Sequence, residues 1–255
     1  MKIITCNVNG IRSAYQKGFF DWVKSLEADF ICVQETKAQL KNLDLSHLHL
    51  ENYHRYEHDA VKPGYSGVAI YSLKKPSNVE YQLGFNCADT EGRFIQLNYP
   101  TYNIISLYLP SGTSGEHRQS EKYAFMDKFE TILKNWLKKK QSFIICGDIN
   151  IAHQNIDIKN WRSNQKNSGF LPEERAWLDK LFNELGLIDL FREVNHEPDQ
   201  YTWWSNRGNA YQKNVGWRID YQISSPDWKK KIISASIYKE QKFSDHAPLI
   251  MDFQI

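Results

Sequence analysis

The sequence predicts an α/β (α+β) protein built on two mixed β-sheets packed face to face, with helices on the outside. Three observations carry this reading. Apolar runs of strand length recur from one end of the chain to the other, helical patterns are few, and several neighbouring runs lie too close together for a crossover helix. A doubly wound parallel sheet, which needs a helix after nearly every strand, is therefore disfavoured.

The strand runs occupy residues 2–6, 30–33, 67–71, 94–99, 104–108, 143–146, 219–223, 232–238 and 249–253. Helical periodicity appears at 18–26, 121–139 and 172–185. The second helix places Tyr123, Phe125, Met126, Phe129, Ile132, Leu133 and Trp136 on one face. The third opens with Pro172, Glu173 and Glu174, a first-turn proline followed by acids that complement the helix dipole. Trp22, Trp136 and Trp177 fall on these patterns and are assigned to packing or helix surface. No linker, low-complexity tract or internal repeat interrupts the chain, so residues 1–255 are expected to form one domain.

Hydrophobic residues make up 41% and charged residues 24%, which excludes a disordered or fibrous protein. The N-terminal apolar run is broken at Asn7, too short for a signal sequence, and no window approaches the ~18 apolar residues of a membrane span. A monomer with a cytoplasmic address is expected, nucleoid-associated if the source is a bacterium. Cys6, Cys32, Cys87 and Cys146 are scattered, three of them in strand runs, and point to neither a disulfide framework nor a zinc cluster. A net charge of +2 is nearly neutral, so any surface that attracts nucleic acid must be local. Lys159, Asn160, Trp161, Arg162 and Lys166 form one candidate, mixing groups that suit contacts to a nucleic-acid backbone. The lysines at 138–140 and 229–231 read as solvated charges, and His47, His49, His54 and His58 as surface-loop residues.

Groups able to bind metal or move protons recur where apolar strands end. Asn7 and Asn9 follow the first run, Gln34 and Glu35 the second, and Asp148 and Asn150 the sixth; Asp245 and His246 precede the last. Strand ends and their loops are where open sheets place active sites. Each piece alone has an ordinary reading. Glu35 could be a solvated turn carboxylate, Asp148-Ile-Asn150 an Asx turn, and Ser244-Asp245-His246 a turn in which Asp245 holds the imidazole. Asn7 is harder to dismiss, because β-propensity disfavours Asn and a buried amide needs partners. Together the groups suit phosphodiester hydrolysis: oxygen ligands for a hard cation, a base for water, and donors for phosphate oxygens. Neither a nucleophile elbow nor a glycine-rich phosphate loop is present in the sequence.

The segments Asn7-Val-Asn9-Gly10-Ile-Arg12, Gln34-Glu35-Thr-Lys37, Gly64-Tyr-Ser-Gly67-Val-Ala, Glu91-Gly-Arg93, Tyr108-Leu-Pro-Ser111, Gly147-Asp148-Ile-Asn150, Asn214-Val-Gly-Trp217-Arg-Ile-Asp220-Tyr and Ser244-Asp245-His246-Ala-Pro resemble, in order, the motifs of the exonuclease III family of abasic-site endonucleases. That family lies within the DNase I-like endonuclease/exonuclease/phosphatase superfamily. The resemblance implies a four-layer αββα sandwich and a Mg²⁺-dependent phosphodiesterase, with Mn²⁺ as substitute. Its substrate would be double-stranded DNA, abasic or 3′-blocked. It implies a metal site of Glu35, Asn7, Asn9, Asp148, Asn150, Asp245 and His246, with Glu35 as principal ligand, Asn9 and Asp245 on the same side, and Asn7 linking the ligands to Asp148. It further implies Asp148 as the group that activates water, Asn150 as its partner, a His246–Asp220 couple on the phosphate, and Tyr108 as a donor. Trp203, Trp217 and Ile219, with Arg93 nearby, would line a pocket for a baseless sugar. Where several relatives carry aspartate, this chain has the neutral and weaker ligand Asn9. A phosphomonoesterase or sphingomyelinase on the same fold would keep the metal groups but not the segment around Trp217.

Overall fold

The computed structural model describes residues 1–40 and 50–255, so His47 and His49 lie outside the described residues. In chain order come β1 (Lys2–Asn7), α1 (Ile11–Gln16), α2 (Phe19–Lys24), β2 (Phe30–Gln34), β3 (His54–His58), β4 (Val68–Ser72), β5 (Asn78–Glu80), α3 (Asn86–Thr90), β6 (Phe94–Asn98), β7 (Asn103–Tyr108), α4 (Glu116–Lys138) and β8 (Phe143–Asp148). They are followed by α5 (Trp161–Asn164), α6 (Pro172–Asp179), β9 (Ile188–Asp189), α7 (Leu190–Val194), β10 (Trp203–Trp204), β11 (Gly216–Trp217), β12 (Asp220–Ser224), β13 (Ile232–Ile237) and β14 (Leu249–Phe253).

Two six-stranded sheets result, ordered β13-β14-β1-β2-β4-β3 and β5-β6-β7-β8-β12-β9. Each is mixed in the same way. One parallel pair, β1 with β2 or β7 with β8, sits at the centre and antiparallel partners flank it. Alternation along the strands divides the core. Ile3, Phe30, Cys32, Val68 and Ile70 from one sheet meet Ile95, Leu97, Ile104, Ile144 and Cys146 from the other. The opposite faces carry the helices: Ile4, Cys6, Ile31 and Val33 pack under Phe19, Phe20 and Val23 of α2, while Phe94, Ile105, Leu107 and Ile145 pack under Phe125, Phe129 and Leu133 of α4. This is the expected four-layer αββα sandwich. Central strands are buried on both faces, which is why they read as near-continuous apolar runs.

Every strand run read from the sequence is a strand. The strands not foreseen are short or polar; β3, with sequence HRYEH, is an edge strand without an apolar row, so His54 and His58 belong to a sheet edge rather than a loop. The helix expected from 121 begins at Glu116, because its first turn is polar and carries no periodic signal. After Asp179 the third helix widens into a π-helical turn over Lys180–Glu184. Cys6, Cys32, Cys87 and Cys146 are free thiols. Among the described residues no helix is long and apolar enough to cross a membrane.

Candidate active site

Successive side chains on a strand point to opposite faces, and four strands use that alternation alike. Toward the opposite sheet, β1 presents Ile3, Thr5 and Asn7, β2 presents Phe30, Cys32 and Gln34, β7 presents Ile104, Ser106 and Tyr108, and β8 presents Ile144, Cys146 and Asp148. Each row turns from apolar to polar at the same end of the sandwich. The polar layer is satisfied across the sheets, with Gln34 donating to Ser106 Oγ at 2.9 Å and Ser106 donating to the Val33 carbonyl at 3.1 Å. Register then sets Tyr108 and Asp220 on either side of Asp148. Gly147 precedes Asp148 because a Cβ there would strike the Leu107 carbonyl on β7.

Beyond the strand ends the backbone enters the left-handed region at Asn9 (φ 43°), Glu35 (φ 51°) and Asn150 (φ 56°). Asparagine adopts this region readily, whereas holding Glu35 there costs on the order of 1 kcal/mol or more.

Asn7 ties the site together. Its Nδ2 donates to Glu35 Oε1 at 2.8 Å and to Asp148 Oδ2 at 2.9 Å, and its Oδ1 accepts the Asn9 N–H at 2.9 Å. The carboxamide thus links Glu35 to Asp148 through its Nδ2 and holds the Asn9 backbone through its Oδ1. Asn9 Nδ2 donates to Asp245 Oδ1 at 2.8 Å, and Trp203 Nε1 donates to Asp245 Oδ2 at 3.2 Å. The Asn150 N–H donates to Asp148 Oδ1 at 2.8 Å while its side chain donates to the Leu109 carbonyl at 2.9 Å. His246 Nδ1 lies 2.8 Å from Asp220 Oδ2, and its Nε2 lies 3.9 Å from Asp148 Oδ2. Ser244 Oγ donates to the Asn7 carbonyl at 2.6 Å and accepts the His246 N–H at 2.8 Å, which pins this turn to β1.

Burial and the nearby Asp220 push Asp148 up to about 7, against the opposing pull of His246 and Asn7. Burial alone would lower His246, but Asp220 beside it, with Asp148 and Asp245, raises it to about 10. Glu35 is also disfavoured by burial, yet Lys37 and hydrogen bonds from Asn7, Lys37 and Tyr108 hold it below the ordinary carboxylate value. Asp245 is likewise lowered, burial being outweighed by His246, Asn9 and Trp203. Burial and the Glu35 charge raise Tyr108 well above its usual value, so it keeps its proton.

Glu35, Asn9 and Asp245 offer oxygen donors without sulfur or nitrogen, a set suited to a hard divalent cation. Their fit is visible in Lys37, whose ammonium stands 2.7 Å from Glu35 Oε2 and also donates to Asn9 Oδ1, a position of positive charge between two of the three groups. Asp148, Asp220 and His246 form a second cluster with ligand atoms within 4.8 Å. There one Asp220 oxygen lies 2.8 Å from the imidazole, while the other, Oδ1, is buried without a hydrogen-bond partner among the described residues.

These groups edge a cleft of roughly 800 Å³. Trp203, Trp217 and Ile219 line the wall next to Asp245 and His246, where β10 and β11 pair Trp203 with Trp217 and set their rings edge to face at 6.1 Å. Arg93 is not on that wall. It is 1% exposed, stacks 4.5 Å from the Tyr108 ring and donates to Glu91, Tyr65 and the Tyr108 carbonyl, so it supports Tyr108 from behind. Of the basic stretch, Lys166 reaches the cleft, whereas Lys159 pairs with Asp199 at 2.8 Å and Arg162 stacks on Trp161. Lys37 and Glu174 lie in segments the sequence singles out, the Gln34-Glu35-Thr-Lys37 motif and the start of the third helix, but the sequence reads no role in the site for either: a lysine two residues after Glu35 and an acid in a helix's first turn look like ordinary surface charges.

The chain matches the Endonuclease/Exonuclease/phosphatase family over residues 4–246. It is 39% identical over 251 residues to an exodeoxyribonuclease of Bacillus subtilis, covering 98% of both chains. It is 38% identical to the DNA repair nuclease APEX1 of Danio rerio, covering 98% of this chain and 81% of that one. An AP endonuclease from Archaeoglobus fulgidus superposes with a TM-score of 0.91 at 26% identity, covering all of both chains. The matched span includes every segment that builds the cleft, and the chain belongs to the endonuclease/exonuclease/phosphatase family, in its exonuclease III branch.

Proposed function

We propose that the protein is a divalent-metal-dependent DNA repair nuclease that hydrolyses the phosphodiester bond 5′ to an abasic site in duplex DNA. The same cleft would serve 3′-to-5′ exonuclease and 3′-end cleaning. The observation that carries this reading is the double hydrogen bond from Asn7, which couples Glu35 of the oxygen set to Asp148 beside the His246–Asp220 couple, in a cleft that also has an aromatic wall. Relatives over the whole chain that are named as exodeoxyribonuclease and DNA repair nuclease support it.

Glu35, Asn9 and Asp245 would hold Mg²⁺, or Mn²⁺, which when bound offsets charge on the phosphate oxygens in the transition state. Asp148, with Oδ2 fixed by Asn7 and Oδ1 by the Asn150 N–H, takes the proton from the attacking water. A value of about 7 sets its proton affinity near the working pH. His246, kept protonated by Asp220, directs Nε2 at a non-bridging oxygen, and Tyr108 donates its hydroxyl proton to the phosphate or the leaving oxygen. Trp203, Trp217 and Ile219 receive the sugar. A nucleotide without a base has nothing to unstack, so its extrusion avoids a penalty of about a few kcal/mol.

Incision of a duplex carrying one abasic site tests the reading. Activity should disappear with EDTA and return with Mg²⁺ or Mn²⁺; full turnover in excess chelator would end it.

A further inference from the structure

The most deeply buried charge pair outside the reacting cluster joins α4 to α6. Lys122 and Glu174 have 0% of their side-chain surface exposed and meet at 2.6 Å, Nζ to Oε1. Both also reach main chain. Lys122 Nζ donates to the Asn150 carbonyl at 2.9 Å, and Glu174 Oε2 accepts the N–H groups of Gly169 at 2.6 Å and Leu171 at 3.0 Å. Glu174 Oε1 further accepts Gln119 Nε2 at 3.0 Å and Ser168 Oγ at 3.3 Å. Gln119 and Ser168 in turn press on Gly112 so closely that a Cβ there would strike both. Two stretches, 148–150 and 166–169, are fastened to one pair by hydrogen bonds, Gly112 of a third packs against two of the pair's partners, and residues from each line the cleft.

A helix start requires only part of this: the reach of Glu174 to the Leu171 N–H is an ordinary capping-box bond, whereas the ties to Lys122, Gly169, Gln119 and Ser168 are not. A first-turn acid normally interacts with the dipole from the surface, and two charges withdrawn from water are often no better for stability than apolar residues of the same volume. What an apolar pair could not supply is directional bonds to the backbone of several loops at once. We infer that Lys122–Glu174 is a positioning pair for the reaction proposed above. It fixes the distance between the Asp148–Asn150 edge and the 166–171 segment, so that a DNA strand lying between them presents its phosphodiester to Asp148. This inference rests on the nuclease reading. Neither side chain bonds to Glu35, Asn9 or Asp245, so its loss should show in turnover rather than in metal requirement.

The test uses the whole protein and two variants. Lys122→Met/Glu174→Gln removes both charges together and leaves none unpaired; Gln119→Leu deletes one tie and leaves the pair in place. In the double variant, folded by its cooperative melt, kcat on abasic duplex should fall on the order of 10²-fold, the usual cost of a small misplacement. KM and the Mg²⁺ concentration for half activity should stay within about twofold. Amide exchange should quicken at 148–150 and 166–171 and hold in β1 and β2. Gln119→Leu should show the same pattern on a several-fold scale, and it decides by the same readouts where the double variant does not fold. Wild-type kcat, or unaltered exchange in those stretches, overturns the inference. A wild type that leaves abasic duplex intact defeats the nuclease reading instead, and exchange still decides whether the pair fastens these loops.

Discussion

Replacing Asp157 by asparagine should destabilise the pocket wall, and the loss should depend on pH. Arg218 stands between Trp217 and Ile219 but points inward. Its Nε lies 2.7 Å from Asp157 Oδ1, its Nη2 lies 2.6 Å from Asp189 Oδ2, and Arg192 Nη2 reaches Asp157 at 2.8 Å. Asp157 and Arg218 are each 1% exposed. Burial alone would raise Asp157, but Arg218 and Arg192 bring it from 3.8 to about 2. At about 1.4 kcal/mol for each pH unit, this difference is worth on the order of 2 kcal/mol of folding free energy. The folded value is depressed, so the contribution is complete above the unfolded value and lost as pH falls through about 2. Asparagine also leaves Arg218 with one carboxylate fewer, and breaking a buried pair costs about 3–5 kcal/mol when no partner remains. Asp189 remains, so a loss of about 2–4 kcal/mol is expected at neutral pH. Urea unfolding of both proteins from neutral to acid pH measures it, and the curves of stability against pH should converge below the ordinary aspartate value. A difference under about 0.5 kcal/mol at neutral pH, the size of an ordinary surface substitution, would refute the reasoning. So would a large difference that persists unchanged into acid.

Asp148→Asn keeps the shape of the side chain but removes its proton affinity, so kcat should drop by about 10²–10⁴-fold with DNA affinity nearly unchanged. Near-wild-type kcat from stopped-flow incision would place the base elsewhere. Glu35→Ala should raise the Mg²⁺ concentration needed for half activity, read from a metal titration of rate; an unshifted curve would move the metal off the oxygen set. Trp217→Ala should lower the preference for abasic over intact duplex more than it lowers metal-dependent cleavage in general. An unchanged ratio of kcat/KM values would reassign Trp217 to packing.

How legible the molecule was depended on whether burial wrote itself into the local pattern. β1, β2, β4, β7 and β8 were legible because they are buried on both faces, whereas β3 and β5 lie at sheet edges and alternate without an apolar row. Asn7 and Asp148 stood out as polar residues closing apolar strands. Their meeting across 141 positions of sequence was not legible from residues alone, because it depends on which strands face each other. Motif resemblance supplied that pairing before any geometry. It also set Arg93 at the pocket, where burial behind Tyr108 places it instead. Glu174 was the deepest omission. Its position after Pro172 matched a common helix start, and that reading did not extend to a carboxylate with no solvent contact.

The comparison of kcat/KM for wild-type protein on two otherwise identical duplexes, one intact and one with a single abasic nucleotide, tests the central claim most directly. With Mg²⁺ present, the abasic duplex should be incised far faster, immediately 5′ to the lesion, because its sugar enters the Trp203–Trp217 wall without unstacking a base. Equal rates on the two duplexes would contradict the abasic-site assignment and leave a nuclease that acts from DNA ends.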